Sequence, residues 1–144
     1  VSACATKKTT TSKIDSQIQG DVYTGTDTVE YLAKGVPDRV FFATNKSKLT
    51  TRSRDTLRKQ ATWLRKNKDV TVTVEGHADE RGTREYNLAL GERRANAAKD
   101  YLMTYGVSGK RITVISYGKE KPVNPASTPL AWSQNRRSVT VKTN

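Results

Sequence analysis

Apolar positions along the chain fall into two regimes. Residues 1 to about 33 open on Thr6-Lys7-Lys8-Thr9-Thr10-Thr11-Ser12 and then offer only isolated apolar residues such as Ile14, Ile18 and Val22. So sparse a set does not bury enough surface to fold alone, and the segment reads as a flexible tether. From Val36 the pattern becomes periodic. Val40, Phe41 and Phe42 predict a short strand, and Thr50 to about Lys68 predicts a helix with Leu57, Ala61 and Leu64 on one face and Trp63 beside it. Val70, Val72 and Val74 then alternate with Thr71, Thr73 and Glu75, a half-buried strand ending at Gly76. Tyr86 to Tyr105 predicts a second helix stopped at Gly106. Ile112, Val114 and Ile115 predict a third strand, Lys121 to Pro129 a Pro-punctuated loop, Ala131 to Arg136 a helical turn, and Val139 with Val141 a last strand.

This order, βαβαβ(α)β, predicts an α+β domain over residues 34–144 with right-handed crossovers and a mixed four-stranded sheet. The alternating strands place the helices on one face, because a doubly wound parallel sheet would show continuous apolar runs. The expectation is a two-layer α/β sandwich, preceded by a tether over residues 1–33.

The 144 residues support one such domain, with 26 Lys and Arg against 14 Asp and Glu and a net charge of +12. Three lysines against four acids leave the first 33 residues at −1, and 23 basic against 10 acidic residues leave the remainder at +13. Nine of these cations lie in 46–68, where Asp55 is the one acid. That density fits a solvated helix face or an anionic docking surface; Trp63 alone interrupts it, whereas single-stranded nucleic-acid binders interleave aromatics for stacking. No apolar run is long enough to cross a membrane as a helix. One Cys excludes an internal disulfide framework. One His leaves no plausible zinc set, and no nucleophile has an evident activating base, so catalysis, a metal and a cofactor are not expected.

The second helix contains an anomaly. On a 100° wheel with Leu90 at zero, Arg94 falls at about 40°, between Tyr101 at about 20° and Asn87 at about 60°, with Ala97 and Ala98 flanking them. A guanidinium inside an apolar stripe requires a carboxylate or several acceptors, while Arg93 lies toward the edge and can reach water. Asn87 shares the face nearer the helix start, beside the loop Gly76-His77-Ala78-Asp79-Glu80-Arg81-Gly82-Thr83. That loop follows the carboxyl end of a strand and precedes a helix, where α/β folds bind ligands. Asp79 and Arg94 are therefore candidate poles of one pocket. An Asp79-Arg94 salt bridge, or Asp79 as a helix cap, fits the same spacing. His77 reads as a hydrogen-bonding residue at a strand end. Arg136 and Arg137, just before the last strand, read as solvated charges.

Val1-Ser2-Ala3-Cys4 has the aliphatic-small-small-Cys order of a bacterial lipobox, in which Cys4 would become the acylated first residue. A free structural Cys is the plainer reading, but a position at the head of a polar tether disfavours burial. Residues 5–33 would span at most about 100 Å at roughly 3.3–3.6 Å each.

Together, Gly76-His77-Ala78-Asp79-Glu80-Arg81-Gly82-Thr83, Glu85-Tyr86-Asn87-Leu88-Ala89-Leu90-Gly91-Glu92-Arg93-Arg94-Ala95-Asn96, Ser116-Tyr117-Gly118-Lys119-Glu120-Lys121-Pro122 and Asn135-Arg136-Arg137 resemble the peptidoglycan-associated lipoproteins of the OmpA-like domain family, over residues 36 to 143. The resemblance implies an OmpA-like domain in the periplasm, lipid-anchored to the outer membrane through Cys4. It implies non-covalent binding of the diaminopimelate-containing stem peptide of peptidoglycan within the Tol-Pal system, with a TolB-like propeller and other Tol proteins as partners and roles in envelope integrity and cell division. By the same resemblance, Asp79 and Arg94 hold diaminopimelate, Asn87, Thr44 and Asn45 line the pocket, and Arg137 lies near it. Two positions depart from the family pattern: Asn45 stands where a carboxylate is usual, and Ala78 where Thr is usual.

The main competing reading is a basic nucleic-acid-binding module, which predicts affinity that falls steeply with salt and depends on the cations of 46–68. A cell-wall hydrolase lacks a catalytic pair. No nucleic-acid partner is expected.

Overall fold

The computed structural model describes residues 17–144. Two short antiparallel hairpins come first, β1 (Ile18–Gln19) with β2 (Val22–Tyr23) and β3 (Tyr31–Ala33) with β4 (Val36–Pro37). They are followed by β5 (Arg39–Phe41), α1 (Thr51–Lys66), β6 (Val72–His77), α2 (Arg84–Thr104), a 3-10 turn at Gly109–Arg111, β7 (Ile112–Gly118), α3 (Pro129–Asn135) and β8 (Arg137–Lys142). The periodic elements lie where the sequence predicts them, although β6 runs one residue beyond Gly76 to include His77.

Helix starts are chemically specified. Thr50, Thr83 and Thr128 sit in extended backbone at the N-caps of α1, α2 and α3, and each hydroxyl accepts from the amide three residues on. Pro129 at the start of α3 gives up an amide that has no helical partner. At the end of α1, Arg65 and Lys66 face the negative pole of the helix.

β5, β8, β6 and β7 form one mixed sheet in that order, with β8 antiparallel to both neighbours and β6 parallel to β7. The parallel pair is joined through α2. Val72 and Val74 of β6 turn toward the helices and meet Leu57, Ala61 and Leu64 of α1 and Ala95, Ala98 and Leu102 of α2 in a single core with Val40 and Phe42. On β8 the helix-facing row is polar: Thr140, paired in register with Val74, donates to Gln60 of α1 at 2.7 Å, and Gln60 donates to Pro37 O at 2.9 Å. Val139 lies in the opposite row, aligned with Arg39 and Glu75.

The sandwich requires close approach of α2 to β6. A Cβ on Gly76 would lie 1.6 Å from the Gly91 carbonyl oxygen, so side-chain-free backbone at both positions lets helix and strand touch. This contact rotates the buried stripe of α2. Gly91, Ala95 and Leu102 join Asn87, Leu90, Arg94 and Ala98 in the interior, while Ala97 and Tyr101 are only half-buried. Arg94 consequently lies well inside the stripe.

The expected tether boundary at residue 33 is corrected. Ordered structure is present from β1, and Tyr23 and Leu32 are buried. Tyr23 packs edge-on against Phe41 with ring centroids 4.9 Å apart, and Asp21 accepts the Thr44 amide at 2.8 Å. Isolated apolar residues suffice because they cover the outer side of β5 rather than form a core of their own, which also explains why all three residues of β5 are buried. Cys4 and the rest of the expected tether before residue 17 lie outside the described residues.

Candidate ligand site

The carboxyl end of β6, the loop to α2 and a turn after β5 enclose a cavity of about 230 Å³. Thr44, Asn45, Asp79, Asn87 and Arg94, all expected from the sequence, line it together with Arg81, Gly82, Tyr86 and Leu90. A larger cleft of about 760 Å³ between the hairpins and α1 has mainly hydroxyl, apolar and aromatic walls. The smaller cavity is the one that joins a buried acid to a buried guanidinium.

Arg94 is wholly buried, and its acceptors are backbone carbonyls rather than a carboxylate. Nε donates to Lys46 O at 2.9 Å, Nη1 to His77 O at 2.8 Å and Nη2 to Ala43 O at 3.0 Å. Its guanidinium also lies over the Phe42 ring, 5.3 Å from the centroid. Ala43 and Lys46 are the two ends of a turn closed by Lys46 N–H to Ala43 O at 3.2 Å, so Arg94 ties that turn to α2 and to the end of β6. Asn45, within the turn, has φ 58°, a left-handed conformation that Asn tolerates better than most residues. Three of the five guanidinium N–H groups are thereby engaged by backbone. Burial pulls the Arg94 guanidinium down to about 9, with the charge of Arg136 adding to the effect and that of Asp79 opposing it. The group therefore remains cationic at neutral pH.

Asp79 is also buried. Its Oδ1 accepts from the Arg81 amide and Nε, each at 3.0 Å, and its Oδ2 from Arg81 Nη2 at 2.8 Å and Arg136 Nη1 at 3.1 Å. Burial pushes the Asp79 carboxyl up, but the bonds from Arg81 and Arg136 outweigh it and hold the group below the usual carboxylate range. Asn87 fixes the loop itself: its Nδ2 donates to Arg81 O and Thr83 O, both at 2.9 Å. Gly82, at φ +95°, supplies the left-handed step between them.

The OmpA family pattern matches residues 41–136, which span the cavity and most of its supporting elements. The chain belongs to the OmpA family. It is 46% identical over 140 residues to the peptidoglycan-associated lipoprotein of Mesorhizobium japonicum, covering 97% of this chain and 83% of that one. With the peptidoglycan-associated lipoprotein of Rhizobium meliloti it shares 57% identity over 106 residues, 74% of this chain and 60% of the relative. The crystal structure of the peptidoglycan-associated lipoprotein from Burkholderia pseudomallei superimposes with a TM-score of 0.72 at 35% identity, covering 74% of this chain and 90% of that one. The C-terminal domain of Helicobacter pylori MotB shares the fold at a TM-score of 0.69 and 21% identity, over 74% of this chain and 84% of that one.

Several expectations for this OmpA-family site change. Neither a direct Asp79-Arg94 bridge nor an Asp79 cap is seen: Asp79 pairs with Arg81 and Arg136, Arg94 bonds carbonyls, and Thr83 caps α2. Arg136 and Arg137 are buried, not solvated. Arg136 crosses from α3 to Asp79 and donates to Phe42 O at 2.9 Å and Asp21 O at 2.6 Å. Arg137, expected near the pocket, does not line it. It donates to Asn135 O at 3.0 Å and Lys121 O at 2.9 Å, and desolvation followed by the charge of Arg39 lowers it to about 10 despite Glu75 and Asp38. A one-residue offset decides the difference: at the entry to β8 the extended backbone aims consecutive arginines to opposite sides.

His77 ends β6 with Nε2 3.0 Å from Glu75 Oε1 and its ring stacked on Tyr117. Burial holds its imidazole below the ordinary range, against the pull of Glu75. Among the described residues, no group of three His, Cys, Asp or Glu is placed to hold a metal ion. No helix among them is long and apolar enough to cross a membrane. The site residues missed by sequence reasoning are Arg81, Arg136, Tyr86 and Asp21; the Asp79-x-Arg81 spacing carries the one available signal, that of a side chain folding back on a local carboxylate.

Proposed function

We propose that the cavity binds the diaminopimelate residue of the peptidoglycan stem peptide reversibly and without catalysis, and that the protein links the outer membrane to the wall. The observation that carries this reading is a buried acid and a buried guanidinium lining one small cavity. Diaminopimelate presents an ammonium and a carboxylate on one carbon, so its ammonium matches Asp79 and its carboxylate matches Arg94, each through charge-assisted hydrogen bonds. Each such bond contributes about 1.5–3 kcal/mol, an anchor weak enough to release and strong in many copies. The names of the relatives support the same partner.

Acylation at Cys4 is the proposed attachment to the outer membrane, with the domain in the periplasm. Docking to a TolB-like propeller and other Tol proteins belongs to the same family reading. Titration calorimetry with meso-diaminopimelate and a muropeptide tests the site: binding that Asp79→Ala and Arg94→Ala each abolish is expected, and binding unaffected by both overturns it. Mass spectrometry of membrane-extracted protein tests the anchor, which an unmodified Cys4 thiol would exclude. Co-purification with Tol proteins tests the partners.

A further inference from the structure

Asp79 is already saturated by donors of the protein itself. A carboxylate offers about four acceptor positions, and the Arg81 amide, Nε and Nη2 with Arg136 Nη1 fill them. A ligand ammonium reaches Asp79 by displacing one of these donors. The Arg81 amide is part of the loop backbone, and the Arg136 side chain is 2% exposed and fixed by Phe42 O and Asp21 O. The Arg81 side chain differs, being 41% exposed. Its guanidinium lies over the Trp132 ring at 4.2 Å, and the Trp132 indole donates to Glu80 Oε2 at 2.7 Å. Nη2 also reaches Thr44 Oγ1 at 3.2 Å, so Arg81 lies across the cavity mouth from the α3 side to the β5 turn. Sliding over the indole lets it leave Asp79 without losing that stacking.

We propose that Arg81 is the specificity-determining residue of this cavity, an internal cation that occupies Asp79 until a ligand with a carboxylate beside its ammonium takes its place. The proposal rests on the diaminopimelate reading of the site. For an amine alone, binding exchanges a bidentate guanidinium pair for an ammonium pair, and the displaced Arg81 gains no acceptor, so the exchange is near balance. For an ammonium with an adjacent carboxylate, the ammonium takes Asp79 while the carboxylate accepts from Arg94 and from the displaced Arg81. All charges then remain paired. Arg81 thus imposes a penalty on simple amines that the zwitterion cancels.

The experiment compares meso-diaminopimelate with N-acetyl-lysine amide, which carries one ammonium and no carboxylate, by NMR titration of the full chain and of Arg81→Gln and Arg81→Lys. The preference for diaminopimelate is expected to narrow roughly five- to tenfold in Arg81→Gln, the size of one solvent-facing charge-assisted contact. Arg81→Lys restores part of it, because an ammonium lacks the bidentate fork. A preference that stays within twofold of wild type in Arg81→Gln, or widens, overturns the proposal, since a merely structural Arg81 would shift both ligands together. Wild-type binding of diaminopimelate that persists in Asp79→Ala overturns the site reading, and with it this one, and is distinguishable because it needs no Arg81 variant.

Discussion

Arg136 donates to Asp79 across 3.1 Å, with the two side chains 2% and 8% exposed and 57 residues apart in the chain. This pair joins the start of β8 to the loop before α2, and through Asp21 it reaches the β1–β2 hairpin as well. Without Arg136, Asp79 keeps its three Arg81 bonds, but the carbonyls of Phe42 and Asp21 lose a donor. Arg136→Met is therefore expected to lower unfolding free energy by about 1–3 kcal/mol for each carbonyl that stays dry, measured by urea denaturation, and to raise protease sensitivity in residues 18–37.

Arg94 has a structural role as well as a proposed ligand role. Arg94→Lys keeps the charge but cannot serve the carbonyls of Ala43, Lys46 and His77 in three directions. Two buried carbonyls lose their donor, at about 1–3 kcal/mol each where they stay dry. A fall in urea midpoint together with loss of diaminopimelate binding is expected, whereas an unchanged midpoint would show the carbonyl contacts to be dispensable.

Acid should destabilise the domain in two phases. His77 is buried neutral and its folded-state value is lowered, so the unfolded chain binds more protons as pH falls through the ordinary histidine value near 6.5. Stability thus declines below about pH 6.5. Asp79 is also lowered, so its contribution is present above the unfolded carboxylate value near 3.9 and is lost as pH falls through the folded one. Urea midpoints from pH 8 to 3 check this. His77→Phe, which retains a ring against Tyr117, should remove the first phase and leave the second.

Gly76→Ala places a methyl against the Gly91 carbonyl, a rigid backbone atom. Separation of α2 from β6 should cost roughly 1–3 kcal/mol or more. Gly91→Ala meets the Ser116 hydroxyl at 2.3 Å and the Gly76 carbonyl oxygen at 2.9 Å, a side-chain obstacle and a milder backbone one, and is expected to cost less. Equal midpoints for the two variants would contradict the close-approach argument.

Periodicity and strand alternation locate α1, α2, β6 and β8 in the sequence because each depends on neighbours within a few residues. Arg94 was visible as a charge in an apolar stripe, and Asp79 as an acid in a strand-to-helix loop. Their partners were not visible. The carbonyls of Ala43 and Lys46 carry no side-chain signature, and Arg136 and Arg137 look alike until strand register aims one at Asp79 and the other at Lys121 O.

The hairpins show the same division. Tyr23 and Leu32 are too few to suggest a fold by themselves, and Tyr23 is buried against Phe41 of β5. The sequence by itself determined the order of elements from β5 onward, the family and the two charged poles, because local patterning and residue chemistry specify them. Tertiary structure alone decided that Arg136 supports Asp79 and that Arg94 bonds backbone, because those contacts join segments up to 115 residues apart through sheet register and a glycine-tight helix contact.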